Sequence, residues 1–543
     1  MKNLFKLSAL VLSGILLFVG CDGQYDSLVD EQKDENPLPP GATYSSGSAD
    51  FTNFISIGNS QTAGFMDAAL YNEGQANSVG NLLAQSLSQA VEGGISYNQP
   101  EINSVNGFNT SIPSNLAGQT TLGRFKLDVN IPGPSPVVNG DAIGAYSGNV
   151  NELNNYGIPG ITVGQLLIPE TAIPNNPAFS PFYARIATDP GTSTILGDVV
   201  ARQPTFFSLW IGNNDVLGYA VGGASNPAIL TSPGDFTTRF GAVISTLMNN
   251  TSADGIVADI PFFLGLAYFQ AVTWDNIGLD EATATFLNQN LAPVNGAIQG
   301  CANFGVDQAD IDRRLISYSA GDNPILAIDE ELDDLGGCFD NLLTFGQIDA
   351  QQRAALVPYE QSRPLVQGEL VLLGAGSVLG TEADGDASVA DTPIGVVVPL
   401  GFNIANGSLS GDRYYLTQAE QVEIETARQT FNAIIANTIA GNNRIAYYNT
   451  NDANSVFGDI FGLTDGQPGI SVDGVDLAPD FSPNGVLSTD GVHANPRGNA
   501  ILTNEFIRVI ENSFGATLPR VDVLNLQSVE LCAGDCVSQQ SGS

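Results

Sequence analysis

The chain has 543 residues, and its 18 Lys+Arg stand against 57 Asp+Glu for a formal charge of −39. That balance excludes the positive face with which a nucleic-acid binder displaces counterions, and it opposes adhesion to an anionic membrane by charge alone. A hydrophobic fraction of 43% with 14% charged residues supports a sizeable core, and 60 Gly and 29 Pro call for many turns and long ordered loops.

Such a length fits about two to four domain-sized units, or one large domain with insertions. Lys2 and Lys6 form a positive head, and Leu7 to Val19 then carries nothing more polar than Ser. That run suits an export signal and is too short to span a bilayer comfortably. It ends in Phe18-Val19-Gly20-Cys21. A small residue before Cys resembles a bacterial lipoprotein signal, although that pattern prefers Leu where Phe18 stands. The resemblance implies that residues 1–20 are removed, that Cys21 is lipidated, and that the protein is anchored by lipid in the cell envelope, on the periplasmic or surface face of the outer membrane. An ordinary cleaved signal with a chance Cys is the alternative. Residues 21–50, acidic and Pro-rich, read as a flexible tether. No later stretch reaches the eighteen or so consecutive apolar residues of a membrane helix.

Phe51 to Ile57 is a β-rich run closed by Gly58. Thr62 to Leu70 and Asn77 to Val91 have helical spacing. Residues 92–150 are rich in Gly, Asn and Pro and read as an elaborated loop insertion. Ile161 to Leu167 begins a short helix. Thr205 to Ile211 is mostly apolar, as a strand buried on both faces of a parallel sheet should be. Phe236 to Met248 reads as a helix, Gly255 to Ile260 as a strand, and Glu281 to Ile298 as another helix. A second insertion, 300–413, holds strand-like Glu369 to Leu373 and Ile394 to Leu400. It also holds the acidic loop Glu382 to Asp391, whose Asp384-Gly385-Asp386 lacks EF-hand spacing and reads as solvated.

Thr417 to Ile439 is the clearest helix, with Val422, Ile424, Ala427, Phe431, Ile434, Ile435 and Ile439 on one apolar stripe assigned to the core. Arg444 to Tyr448 reads as a strand. Pro496 to Ile510 is the last helix, with Asn495 as N-cap. Residues 51–520 form the main domain, and 521–543 a C-terminal tail. Strands alternating with helices predict an α/β fold around a parallel sheet, with chemistry in the loops at the carboxyl ends of the strands. Besides Cys21 there are four cysteines. An even number in an exported chain predicts two disulfides, and Cys301–Cys338 with Cys532–Cys536 is the simplest of three pairings; metal binding is the rival reading.

Acyl transfer at neutral pH needs a base that can take and return a proton there, and His is the usual one. The chain has a single histidine, His493, in Ser488-Thr489-Asp490-Gly491-Val492-His493. Asp490 can fold back to hold the imidazole tautomer, as the acid of a serine triad does. A nucleophile stands after the first strand in Gly58-Asn59-Ser60, where Gly58 permits a tight turn. Gly212-Asn213-Asn214-Asp215 runs directly off the buried strand, where a side-chain amide can donate to a developing oxyanion. Asn155 to Thr162 places Gly160 before a helix, a source of a backbone donor. Each piece alone is a common turn pattern.

In this order the four pieces resemble the blocks of the SGNH, or GDSL, hydrolases. Gly58-Asn59-Ser60 is similar to their Gly-Asp-Ser, with Asn59 replacing an acid that mainly shapes the turn. Asn155 to Gly160 matches their second block, Gly212 to Asp215 their Gly-x-Asn-Asp, and Asp490 to His493 their Asp-x-x-His. The resemblance implies a three-layer α/β/α fold with a mainly parallel sheet in flavodoxin-like order, plus large insertions. It implies catalysis by Ser60, Asp490 and His493, with an oxyanion hole from Ser60, Gly160 and Asn214, and neither a metal nor an organic cofactor. Ser60 and Gly160 lie 100 residues apart, and Asn214 and Asp490 lie 276 apart, so the likeness covers the blocks and their flanks, about half the chain. The expected activity is serine ester hydrolysis, as an esterase or lipase, through a covalent acyl-enzyme on a small-molecule or lipid ester. The membrane is met only through the lipid anchor, and the sequence does not set an oligomeric state. An O-acetyl esterase acting on glycans shares the machinery. A non-catalytic binding or uptake lipoprotein that keeps the fold is the third reading.

Overall fold

In the computed structural model the described residues are 43–111, 121–129, 133–386, 388–389, 391–404, 408–409, 413–452, 455 and 469–537. The expected signal at 1–20, Cys21 and the part of the expected tether up to 42 lie outside them. Five strands form the central sheet: β1 (Phe54–Gly58), β2 (Asn155–Gly157), β3 (Phe206–Trp210), β4 (Asp254–Ala258) and β5 (Ile445–Tyr448). Their order is β5-β4-β3-β1-β2, and every pairing is parallel. This is a doubly wound order that reverses beside β1. In register, Ile57 of β1 faces Tyr156 on one side and Leu209 on the other. Every residue of β1 and β3 is buried, which is why their sequences are apolar runs and do not alternate.

The helices that matter here are α1 (Ser60–Ala63), α2 (Val79–Ser88), α3 (Asn214–Val221), α4 (Pro233–Asn250), α5 (Glu281–Gly300), α6 (Gly336–Thr344), α7 (Gln418–Ile439) and α8 (Pro496–Phe514). α2 packs on α8 and α4 on α7. Helices therefore flank the sheet, an arrangement compatible with a three-layer α/β/α fold. Local signals set their ends. Thr417 and Glu420 form a reciprocal capping box at α7, and Asn495 accepts from the Gly498 N–H to cap α8. Residues from Ser46 onward form one compact unit.

That unit has two large hydrophobic cores. One surrounds the sheet; the other runs from Ile277 to Tyr415 and includes α5 and α6. This second core takes in the inner face of α5 (Leu287, Leu291, Ile298), so it starts before residue 300. Cys301, just past α5, is bonded to Cys338 in α6, and Cys532 to Cys536, as the simplest pairing predicts.

Other expectations are corrected. The helix predicted over Thr62–Leu70 stops at Ala63. Gly64 closes it with left-handed φ 80°, and Asp67 and Ala68 follow at φ 54° and 59°, forming the turn of a small hairpin, Phe65–Met66 with Ala69–Leu70. The 92–150 insertion contains a hairpin, Leu122–Asp128 with Gly133–Val138. The tail is not loose. Its Leu531 and Cys536 bridge to Leu127 and Val137 of that hairpin, while Glu530 pairs with Arg124 and Lys126, and Asp535 with Lys126. Ile161–Leu167 holds only a 3₁₀ turn, Gly164–Leu166. Glu369–Leu373 shrinks to the two-residue strand Leu370–Val371. Ile394–Leu400 forms isolated bridges and no strand. Val422 is 66% exposed, so the apolar stripe of α7 is narrower than its sequence suggests.

Candidate active site

Ser60 opens α1 directly after β1. The close passage there explains Gly58: a β-carbon at this position would lie 2.2 Å from Thr62 Oγ1 and 2.6 Å from the Trp210 carbonyl oxygen. Asn59 shapes the same turn. Its side-chain oxygen accepts from the Gln61 N–H, and its amide donates to Asn213 Oδ1 at 2.9 Å. A carboxylate could not make that second bond as a donor. The Asn59 amide therefore ties the β1 turn to the β3 turn.

His493 stands 433 positions from Ser60, yet Ser60 Oγ lies 2.8 Å from His493 Nε2. His493 Nδ1 lies 2.9 Å from Asp490 Oδ2. Asp490 Oδ1 accepts from the N–H groups of Val492 and His493, and Oδ2 also accepts from the Ala68 N–H at 3.1 Å. Burial alone would raise the Asp490 pKa. The adjacent imidazole and these N–H donors outweigh it and hold the carboxyl well below its ordinary range. An ionised Asp490 can only accept, so Nδ1 carries the proton and Nε2 presents its lone pair to the Ser60 hydroxyl. The Phe65 ring meets the imidazole edge-on at 5.2 Å and closes off one flank.

Two loops stand beside this pair. Asn214 donates one amide hydrogen to the Ile161 carbonyl at 2.9 Å, which leaves its other for the cleft that it lines. Asp215 accepts from the Val163 N–H at 2.9 Å and the Thr231 hydroxyl at 2.8 Å. The Asn214–Ile161 and Val163–Asp215 bonds fix the loop after β2 to the start of α3 behind β3. Gly160, next to Ile161, is exposed at φ 78°. The backbone N–H groups of Ser60 and Gly160 donate to no acceptor among the described residues, so both are available to a ligand. The structure brings Ser60, Asp490 and His493 together by direct bonds and places Asn214 in the same cleft. Gly160 is placed only through its neighbour Ile161.

The cleft has an open volume of about 520 Å³. Asn59, Ser60, Gln61, Asn213, Asn214 and His493 form its polar side; Trp210, Leu217, Pro261, Phe262, Phe263, Leu266 and Val492 form the rest. No Lys, Arg, Asp or Glu is among the described residues that line it. Most of the apolar wall comes from the loop after β4, which sequence reasoning left unassigned. Its position at the carboxyl end of a parallel strand was the available signal. Sequence reasoning also missed the Ala68 donor. Met66-Asp67-Ala68-Ala69 contains no Gly or Asn, and Asp67 alone is too weak a turn signal to override the helical spacing around it.

Comparison with known proteins found no matching family model, no matching curated protein and no matching solved structure. A function for the chain must be argued from the chemistry of this cleft.

Proposed function

We propose that the protein is a serine ester hydrolase of the SGNH type that acts on uncharged esters with an apolar acyl group, tethered to the cell envelope through a lipid on Cys21. The observation that carries this reading is the unbroken line from Ser60 Oγ through the imidazole of the only histidine to Asp490, with 2.8 Å and 2.9 Å links. A buried structural histidine needs one partner; it has no reason to aim a lone pair at an accessible serine beside unused N–H donors.

His493 takes the Ser60 proton as Oγ attacks the ester carbonyl, and Asp490 stabilises the imidazolium that forms. The N–H groups of Ser60 and Gly160 and the free amide hydrogen of Asn214 receive the negative charge on the carbonyl oxygen. One such donor is typically worth about 3 kcal/mol in the transition state. His493 returns the proton to the departing alcohol, leaving an acyl group on Ser60. Water then attacks that acyl-enzyme with His493 again as base, and the acid is released. The Trp210, Leu217, Phe263 and Leu266 wall favours an acyl chain over an acetylated sugar, whose hydroxyls would find few partners there.

An ester panel tests the reading. Purified protein should hydrolyse p-nitrophenyl butyrate or octanoate faster than the acetate or an acetylated glycan. A preference for the acetylated glycan would replace the acyl reading, and no hydrolysis of any ester would defeat the enzyme reading.

A further inference from the structure

The triad acid is held from behind by a second buried carboxylate. Asp67 Oδ1 accepts from the Thr489 N–H at 2.9 Å and the Thr489 hydroxyl at 2.6 Å; its Oδ2 accepts from the Tyr71 hydroxyl at 2.7 Å. Thr489 immediately precedes Asp490. The Asp67 main chain is clamped as well: its N–H donates to Ser488 Oγ at 3.2 Å, and its carbonyl accepts from the Phe125 N–H at 2.8 Å. Ala68 follows, with its N–H on Asp490 Oδ2 and its carbonyl accepting from Thr110. Asp67 and Ala68 are both non-glycine residues with left-handed φ, a conformation that persists only where surroundings over-determine it.

Asp67 is 5% exposed and forms no ion pair among the described residues. The Arg124 guanidinium lies over the Tyr71 ring at 4.4 Å, and its charge reaches Asp67 without direct contact. Burial raises the Asp67 pKa, the Thr489 and Tyr71 donors lower it, and the neighbouring Asp490 charge raises it further. A second carboxylate set next to the triad acid is a cost that packing alone does not require.

We propose that Asp67 is a positioning residue for the triad: by gripping Thr489 and fixing the left-handed Asp67–Ala68 turn, it sets the Ala68 N–H and Asp490 so that Asp490 Oδ2 meets His493 Nδ1. Asp67 touches no reacting atom. It acts on the rate through the orientation of the imidazole, and the inference rests on the esterase reading only for its kinetic consequence.

A single histidine makes this testable with and without turnover. In protein labelled with ¹⁵N-histidine, only one imidazole contributes, and its Nδ1–H resonance reports the bond to Asp490. Asp67→Ala should lower kcat by about ten-fold per fluorophosphonate-titrated Ser60, leave KM within about two-fold, and move the Nδ1–H resonance. Asp67→Asn keeps an acceptor for Thr489 and tolerates left-handed φ, so it should restore kcat to within about three-fold of wild type and return the resonance. If Asp67→Ala does not fold, Tyr71→Phe carries the same test, with an expected loss of about two- to three-fold in kcat and a smaller shift of the resonance. A folded Asp67→Ala protein, or in its stead Tyr71→Phe, with wild-type kcat and an unmoved resonance would overturn the proposal. So would Asp67→Asn as impaired as Asp67→Ala. If wild type hydrolyses no ester, the esterase reading fails, while the resonance still decides whether Asp67 orients Asp490 and His493.

Discussion

The sheet region and the large insertion are built by different means. Around the sheet, order comes from apolar burial: strands of three to five residues, parallel throughout, with Ile55, Ile57, Phe206, Phe207 and Leu209 all fully buried. The insertion from Ile277 to Tyr415 has antiparallel strand pairs only two or three residues long. It adds polar and covalent ties to its own apolar core. Arg363 lies between Asp329 and Glu369, all three side chains under 10% exposed, and Arg314, fully buried, pairs with Asp310 and donates to the Glu360 and Asp333 carbonyls. The Cys301–Cys338 bond closes a further loop. The sheet leaves its carboxyl-end loops exposed to a cleft; the second core borders the loop that carries Asp490 and His493. Tyr268, on the chain leading into that core, donates its N–H to the Gly491 carbonyl, and a β-carbon on Gly491 would meet Leu373 Cδ2 at 3.3 Å.

That division predicts which changes affect activity and which affect stability. Ser60→Ala or His493→Ala should cut kcat by about 10⁴-fold or more, with the denaturation midpoint nearly unmoved. Asn214→Ala in the same cleft should cost about 10²–10³-fold in kcat. Steady-state kinetics beside urea titrations check both, and a large stability loss without a rate loss in any of the three would place that residue in the frame.

Arg363→Met should behave in the opposite way. It strands two buried carboxylates and should destabilise the insertion by about 3–5 kcal/mol. Residual activity in mild urea should fall only as that core melts. An unchanged unfolding curve would mean the buried pairs do not hold the insertion together.

A smaller effect concerns Asp215, whose carboxyl burial raises to about 6, with the Val163 and Thr231 donors only partly opposing it. The neutral form is favoured in the fold, so the folded state binds the extra proton. Stability from this group is present at low pH and is lost as pH rises from its unfolded value near 4 through 6, by roughly 3 kcal/mol in all. Asp215→Asn should remove that slope, and urea midpoints at pH 4.5 and 7 for both proteins measure it. Parallel pH dependence in the two proteins would contradict the assignment.

Much of the sheet region was legible in the sequence because burial on both faces demands continuous apolar runs, such as Thr205–Ile211, and because Asn495 before Pro496 reads as a cap. The meeting of Ser60, Asp490 and His493 was legible because only one histidine exists, Asp490 stands three residues before it, and the order of the blocks resembles the SGNH hydrolases. The hairpin after α1 was not. Helical spacing over Thr62–Leu70 competes there with Gly64 and with tertiary clamps on Asp67 from Ser488, Thr489 and Phe125, more than 50 residues away. The insertion was opaque for a similar reason: two-residue strands carry no period to detect, and its start at Ile277 is defined by what α5 packs against, which spacing alone does not tell.

The most direct test of the account is covalent labelling by a fluorophosphonate followed by peptide mass spectrometry, since only a serine whose proton a neighbouring base can take attacks phosphorus readily. The account predicts a single adduct on Ser60 in wild type and almost none in His493→Ala. An adduct on another residue, or equal labelling of Ser60 with and without the imidazole, would contradict it.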